Sequence, residues 1–337
     1  MITKNYNPVI VPIFTETNWE CLDWWGNSVS YKISASDIDI LNRIDGIKDL
    51  SQLAQFGVSL DFIKKFLAYN VLMLVEKPEC AEKKEKWVVL SPHSDDAALS
   101  IGGILSKYQN DVDITIFTLT GPSRCAGTCS SLYGDIPKIT RIRKNEDILC
   151  AQFLGARLVC ADIEDGEMYV DNFGVCWADQ IMSTPDDHRI NLFYSSMGSF
   201  FDKTAPPNRV FCPIAAGAHV DHAATHAAFS SLARERHSYF SKTRIFFYED
   251  LPYCQYEYDK LISRIDDIKG IKSHIVPIDP SKKKNTIIPY QSQYFVDQIF
   301  FDIFTYSENL IPESKNMFER IWEYNNRRQS DEVISFY

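Results

Sequence analysis

The sequence predicts an α/β protein: a Rossmann-like, mainly parallel sheet with helices on both faces, preceded by a small winged-helix-like N-terminal domain. Three observations predict it. From Trp87 onward, short apolar runs alternate with helical patterns, which is the signature of βαβ units. Residues 31–77 carry three short amphipathic segments and then one apolar run. Between the two regions lies Glu82-Lys83-Lys84-Glu85-Lys86, which reads as a solvated linker. The expected boundaries are 1–81 for the N-terminal domain and 82–337 for the larger one.

Residues 1–30, rich in aromatics such as Phe14, Trp19, Trp24 and Trp25, are expected to form a short strand or an extended arm. Ser36-Asp37 offers capping side chains ahead of Ile40, Leu41 and Ile44, and Asp45-Gly46 stops that helix. A second helix begins at Asp49-Leu50. Ser59-Leu60-Asp61 caps a third, in which Phe62, Ile63, Phe66 and Leu67 recur at helical spacing. Val71–Val75 reads as a strand. In the larger domain the expected strands are 87–91, 114–120, 157–161, 209–213 and 244–248. The expected helices are 98–109, 138–154 and 222–236.

The 337 residues suffice for about two domains of ~150 residues. An apolar fraction of 45% supports a large core. Lysine plus arginine total 35 against 45 acidic residues, a net charge of −10, which disfavours nucleic acid as a partner. No apolar stretch approaches the roughly 18–20 residues that span a bilayer, so no membrane partner is expected. Met1–Pro8 lacks the apolar core of a signal peptide. The nine cysteines are odd in number and scattered, as in a cytoplasmic protein with reduced thiols. Cys125 and Cys129, the one close pair, read as free thiols in a loop.

Two polar clusters carry chemistry. Pro92-His93-Ser94-Asp95-Asp96 directly follows the run Trp87–Leu90. Ala218-His219-Val220-Asp221-His222 follows the strand at 209–213. Ligands in open α/β sheets bind outside the carboxyl ends of strands, and both clusters stand at such ends. Together they supply His, Asp and His for a divalent cation, with one position open for water, as in catalytic zinc sites. Two histidines and a carboxylate also suit iron(II). A leftover carboxylate, Asp95, is placed to move a proton. A leftover imidazole, His219, is placed to stabilise an oxyanion, with Asp221 holding it protonated. The plainer alternative is that Asp95 or Asp96 caps the helix at 98–109.

These segments resemble the two signature motifs of the PIG-L/LmbE family of zinc-dependent N-deacetylases and related amidases. Arg143-x-x-Glu146 followed by Phe153-Leu154-Gly155, Tyr248-Glu249-Asp250-Leu251-Pro252-Tyr253 and Tyr290-Gln291-Ser292-Gln293 are similar to further motifs of that family. The resemblance spans roughly residues 86–300. It implies that His93, Asp96 and His222 ligate zinc. It also implies that Asp95 is the general base and that His219, oriented by Asp221, assists the oxyanion or leaving group. Arg143 contacts substrate on this reading; on the other, it forms a surface ion pair with Glu146. Many members have Pro before the aspartate pair and Glu after it, where this chain has Ser94 and Ala97. Ile44-Asp45-Gly46 resembles the turn of the small peptide-recognition domains related to PqqD.

The expected activity is removal of an N-acyl group, acetyl first, from an amino sugar or related small molecule. One alternative is an amidase acting on a peptide-like or carrier-linked natural-product intermediate, with a peptide or carrier protein recruited by the N-terminal domain. The other is a non-catalytic peptide- or DNA-binding protein. His226 reads as a core or surface histidine, His188 as an ordinary loop residue, and Lys282-Lys283-Lys284 as a solvated charge run.

Overall fold

The computed structural model describes residues 85–324 apart from 129–134, 172–183, 218, 313 and 315, together with 6–10, 18–22, 28–41, 43–44, 48–68 and 72–76. The N-terminal part holds β1 (Tyr6–Ile10), β2 (Asn18–Leu22), β3 (Ser28–Lys32), α1 (Ala35–Leu41), α2 (Leu50–Gln55), α3 (Leu60–Ala68) and β4 (Leu72–Glu76). β1 pairs antiparallel with β4, and β2 with β3. The arm expected before residue 30 thus contributes strands to two ladders.

Local chemistry sets the helix starts. Ser34, rather than Ser36 or Asp37, caps α1, its Oγ accepting from the Asp37 N–H at 3.2 Å. Asp49 and Gln52 form a capping box on α2. Ser59 accepts from the Phe62 N–H at 3.1 Å. The apolar face of these helices packs with Ile33, Val58 and Leu72 into a small cluster of its own. Asp45, Gly46 and Glu82–Lys84 lie outside the described residues.

The larger part opens with β5 (Glu85–Ser91), α4 (Asp96–Tyr108), β6 (Val112–Thr120), α5 (Ile136–Phe153) and β7 (Arg157–Ile163). It continues through α6 (Gly166–Asp171), α7 (Asp187–Asp202), β8 (Arg209–Pro213), α8 (Val220–Glu235), α9 (His237–Phe240) and β9 (Arg244–Tyr248). It ends with α10 (Tyr253–Tyr256), α11 (Tyr258–Asp267), β10 (Ile271–Ile278), α12 (Pro280–Ile287), α13 (Val296–Leu310) and β11 (Met317–Tyr324). The sheet has seven strands in the order β10-β11-β9-β8-β5-β6-β7. β5 to β9 are parallel, and β11 runs antiparallel between β9 and β10. The sheet is therefore mainly parallel. α4, α5 and α12 pack together on one face, and α7 packs with α8 on the other.

Central parallel strands are covered on both faces, so they read as continuous apolar runs. Trp87–Leu90 of β5 and Val210–Cys212 of β8 are all buried. Leu154-Gly155 ends α5 because Gly155 adopts a φ of 56°, a conformation that glycine takes without steric cost.

β10, β11 and the helices around them were not anticipated. Charged residues interrupt their apolar pattern, and burial becomes affordable only through pairing. Lys283 is the clearest correction. Expected in a solvated charge run, its side chain is fully buried and paired with Glu319 at 2.5 Å. Its neighbour Lys284 bonds Asp297. α7 likewise emerged from a segment that showed no pattern. Among the described residues no helix is long and apolar enough to cross a membrane.

Phe211 lies at the centre of the sheet, fully buried, with its ring centroid 5.2 Å from that of Trp87 and 5.3 Å from that of Phe246. Phe211→Ala should lower stability by about 3–5 kcal/mol, read as a shift of the urea midpoint.

Candidate active site

The strand order reverses at β5. The chain runs from β5 outward through β6 and β7, then crosses back to place β8 and β9 on the other side. The crevice at this switch point is where such sheets bind ligands. His93, Asp95 and Asp96 leave the end of β5, and His219, Asp221 and His222 follow β8. Ser91 Oγ bridges the turn, donating to the His93 carbonyl at 2.7 Å and accepting from the Ala97 N–H at 3.1 Å. The Pro92 carbonyl accepts from both the N–H and the hydroxyl of Thr120 on β6.

Three side chains converge. His93 Nδ1 lies 3.1 Å from Asp96 Oδ2, His222 Nε2 lies 3.2 Å from Asp96 Oδ1, and the two ring nitrogens are 3.3 Å apart. Donors held about 2.0–2.1 Å from one tetrahedral ion are separated by about 3.3 Å. The trio therefore has the spacing and donor chemistry of a divalent-cation site. His93, His219 and His222 also bring ring nitrogens within 4.8 Å of one another, but that looser set leaves out the carboxylate bridging the other two histidines.

Each histidine of the trio is fixed from behind. His93 Nε2 meets Asp221 Oδ2 at 3.0 Å, and His222 Nδ1 meets Asp250 Oδ1 at 2.9 Å. Carboxylates in this position orient a ligand ring and raise its basicity. Arg189 grips Asp221 Oδ1 through Nε at 2.8 Å and Nη2 at 2.5 Å, and the Gly166 N–H donates to Oδ2 at 2.8 Å. Asp250 Oδ2 accepts from the Ala216 N–H. Burial would push the imidazoles down, yet the carboxylates outweigh it. Asp96 and Asp250 hold His222 up at about 9, and Asp96 and Asp221 hold His93 well above its ordinary value. Surroundings that draw a proton onto these rings also draw a divalent cation.

Asp95 follows a different path. It occupies the cap position of α4 but makes no side-chain capping bond, so the plain capping alternative does not describe it. Burial and the charge of Asp96 raise its carboxyl, while Arg143 at 3.9 Å opposes the shift. Arg143 is itself buried and anchored, donating to Ser94 Oγ, Ser123 Oγ and Asp165 Oδ2 at 3.1, 2.8 and 3.0 Å. It does not pair with Glu146 at the surface. Glu146 turns inward to accept from the N–H and hydroxyl of Ser292, both at 2.8 Å. The next residue, Asp147, accepts from Thr118 and Tyr290. The Arg-x-x-Glu and Tyr-Gln-Ser-Gln segments thus join each other beneath the site. A cavity of about 90 Å³ opens beside Arg143 and Ser94, lined also by Thr118, Asp147 and Asp162; His93, Asp95, Asp96 and His222 do not line it.

One expected role changes. Asp221 was to orient His219 and keep it protonated, but its carboxylate faces His93 and Arg189. His219 Nδ1 instead accepts from the backbone N–H of Asp221 at 3.2 Å. Burial and the neighbouring imidazoles lower His219 to about 3. The ring is therefore neutral, and with Nδ1 accepting, the proton resides on Nε2.

Asp250, Arg189 and Asp165 were missed by the sequence. Asp250 stands in the strand-end segment Tyr248–Tyr253 and was legible as a carboxylate at the end of β9. Arg189 and Asp165 lie in the long region between β7 and β8, where nothing in the sequence tells a buried charge from an exposed one. Tyr253, which lines the site with ring centroids 5.7 and 5.4 Å from those of His219 and His222, was likewise given no role. His226 is a core histidine bonded to the Pro213 carbonyl at 2.8 Å. His188 is exposed at the start of α7. Cys125 is a free thiol pushed up to about 12 by burial, and Cys129 lies outside the described residues.

Residues 88–233 match the family described as PIG-L: GlcNAc-PI de-N-acetylase. No curated protein matches the chain. Among solved structures, the zinc-inhibited form of teicoplanin deacetylase Orf2 is similar over 71% of this chain and 97% of its own, at 18% identity and a TM-score of 0.55. The A40926 pseudoaglycone deacetylase Dbv21 is similar over 72% of this chain and 97% of its own, at 22% identity and a TM-score of 0.53. These likenesses establish a shared fold.

Two predictions concern the trio. Arg189→Met, by releasing the Asp221 carboxylate that holds His93, should weaken zinc binding by about tenfold, the lower end of the effect of losing a direct partner of a ligand. Competition against a chromogenic chelator measures this, and an unchanged affinity would show that Asp221 holds His93 unaided. The second concerns pH. Raised histidines must lose their protons to bind a cation, so zinc affinity should climb as pH rises toward about 9 and flatten above it. In chelator-treated protein the same pairings stabilise the fold fully below about 6.5 and lose that contribution as pH rises through about 9. Calorimetry in buffers of different ionisation heat reads the proton release, and its absence would contradict the assignment.

Proposed function

We propose that this chain is a metal-dependent hydrolase that removes an N-acyl group, acetyl first, from the amine of an amino sugar, free or carried on a glycopeptide. The observation that carries the reading is the trio His93, Asp96 and His222 at single-ion spacing, with buried Asp95 beside it. The family description names a de-N-acetylase acting on an N-acetylglucosaminyl compound. The similar structures are described as a teicoplanin deacetylase and an antimicrobial A40926 pseudoaglycone deacetylase. Both support the same reaction class.

The trio would hold the cation, zinc or another divalent ion such as iron(II). When bound, such an ion acts as a Lewis acid and lowers the pKa of its water to about 7. Asp95, raised by burial yet kept near Arg143, accepts a proton from the attacking water. It then returns that proton to the departing amine nitrogen, so one residue serves as base and acid. Neutral His219 donates its Nε2 proton in a hydrogen bond to the amide oxygen as negative charge gathers there. Arg143 keeps Asp95 aimed.

Asp95→Asn should retain the metal and lose about 10²–10⁴-fold in kcat, measured on N-acetylated amino sugars and N-acyl glycopeptides. Full turnover by that variant would remove Asp95 as the base. A panel that also includes peptidyl and carrier-bound amides tests the substrate class, because turnover confined to those would move the scissile bond off the sugar.

A further inference from the structure

α4 carries Asp95 and Asp96 at its start, yet it is not one continuous helix. Ile101 sits at φ −131° and ψ 15°, which divides it into two helical segments. In an unbroken helix the carbonyls of Ala98 and Leu99 would receive the N–H groups of Gly102 and Gly103. Here Lys283 Nζ donates to the Ala98 carbonyl at 2.8 Å and the Leu99 carbonyl at 2.7 Å. Glu319 accepts from the Gly103 N–H at 2.9 Å and the Ile104 N–H at 2.7 Å. The two side chains also bond each other.

The charges are placed with helix polarity. The ammonium meets the carbonyl end of the first segment, and the carboxylate meets the N–H end of the second. Close packing secures the junction: a Cβ on Gly102 would lie 2.3 Å from Thr286 Oγ1, and one on Gly103 would lie 2.3 Å from Ile278 Cδ1. The first segment is also tied to the far side of the site, because Ser100 Oγ accepts from the N–H of Leu251, next to Asp250. A buried ion pair is seldom the most stable filling for a core. Its use at this break suits a role in geometry.

We propose that Lys283 and Glu319 are positioning residues that set the angle of the first segment of α4, and so place Asp96 against His93 and His222 and Asp95 beside Arg143. This inference rests on the metal-site reading above. Neither residue touches substrate or cation; both act through the helix they splint.

Cobalt(II) titration of the 337-residue chain tests it, with the visible absorption bands reporting ligand geometry and melting temperature recorded alongside. Three variants serve: Glu319→Gln, Lys283→Arg, and the double variant Lys283→Met with Glu319→Met. The double variant leaves no unpaired buried charge but strips the Ala98 and Leu99 carbonyls and the Gly103 and Ile104 N–H groups of their partners, so it should fold with a lowered melting temperature. It should still bind cobalt about tenfold more weakly or worse, with altered bands. Glu319→Gln should show the same direction of change, and Lys283→Arg, which keeps the charge, should recover part of the affinity. A folded double variant or Glu319→Gln with parental affinity and bands would overturn the proposal. So would failure of all three to fold, which would make the pair a stability element. Absence of cobalt binding by the parent would instead remove the metal site itself, and this inference with it.

Discussion

Asp96 is the constraint on which the site depends. Its two oxygens face the ring nitrogens of His93 and His222, which arrive from the ends of two adjacent strands. Its Oδ2 also accepts from the backbone N–H of His93 at 2.7 Å, so the carboxylate shapes the turn from which it projects. Burial disfavours that charge, and the two imidazoles hold the carboxyl well below its ordinary range nonetheless. Remove the carboxylate, and two buried histidines face each other with no opposite charge between them.

Around this centre the protein distributes charge in pairs. Asp221 answers to Arg189, Asp165 to Arg143, Glu249 to Arg320, and Glu319 to Lys283. A buried charge left alone is expensive, while a hydrogen-bonded pair is tolerable. Many of these residues come from the later part of the chain, so the antiparallel extension of the sheet does more than widen it. Glu249 shows this: it binds Tyr306, Arg320 and Trp322 from α13 and β11 while the next residue holds His222.

The sequence revealed what depends on local pattern. β8 and β9 fall where their apolar runs predict, and the clusters around His93 and His222 stand at the strand ends where a ligand site was expected. Partnerships across long separations were not legible. Asp221 was matched to the nearest histidine in sequence, His219, whereas the fold gives it His93, 128 residues away. Lys283 between two other lysines looked solvated because nothing local announces Glu319. Arg189 escaped for the same reason, and Asp250, though legible as a carboxylate at the end of β9, gave no sign of its bond to His222, because a contact is a property of topology.

The placement of β5 between β6 and β8 has a consequence for how the chain comes into being. During synthesis His93 and Asp96 emerge well over a hundred residues before His222, and β5, β6 and β7 can associate while β8 is still unmade. Parallel pairing across such a separation forms late because the intervening loop must close first. Until β8 docks, His93 and Asp96 stand without His222, so the trio that could hold a cation is complete only once the sheet has closed.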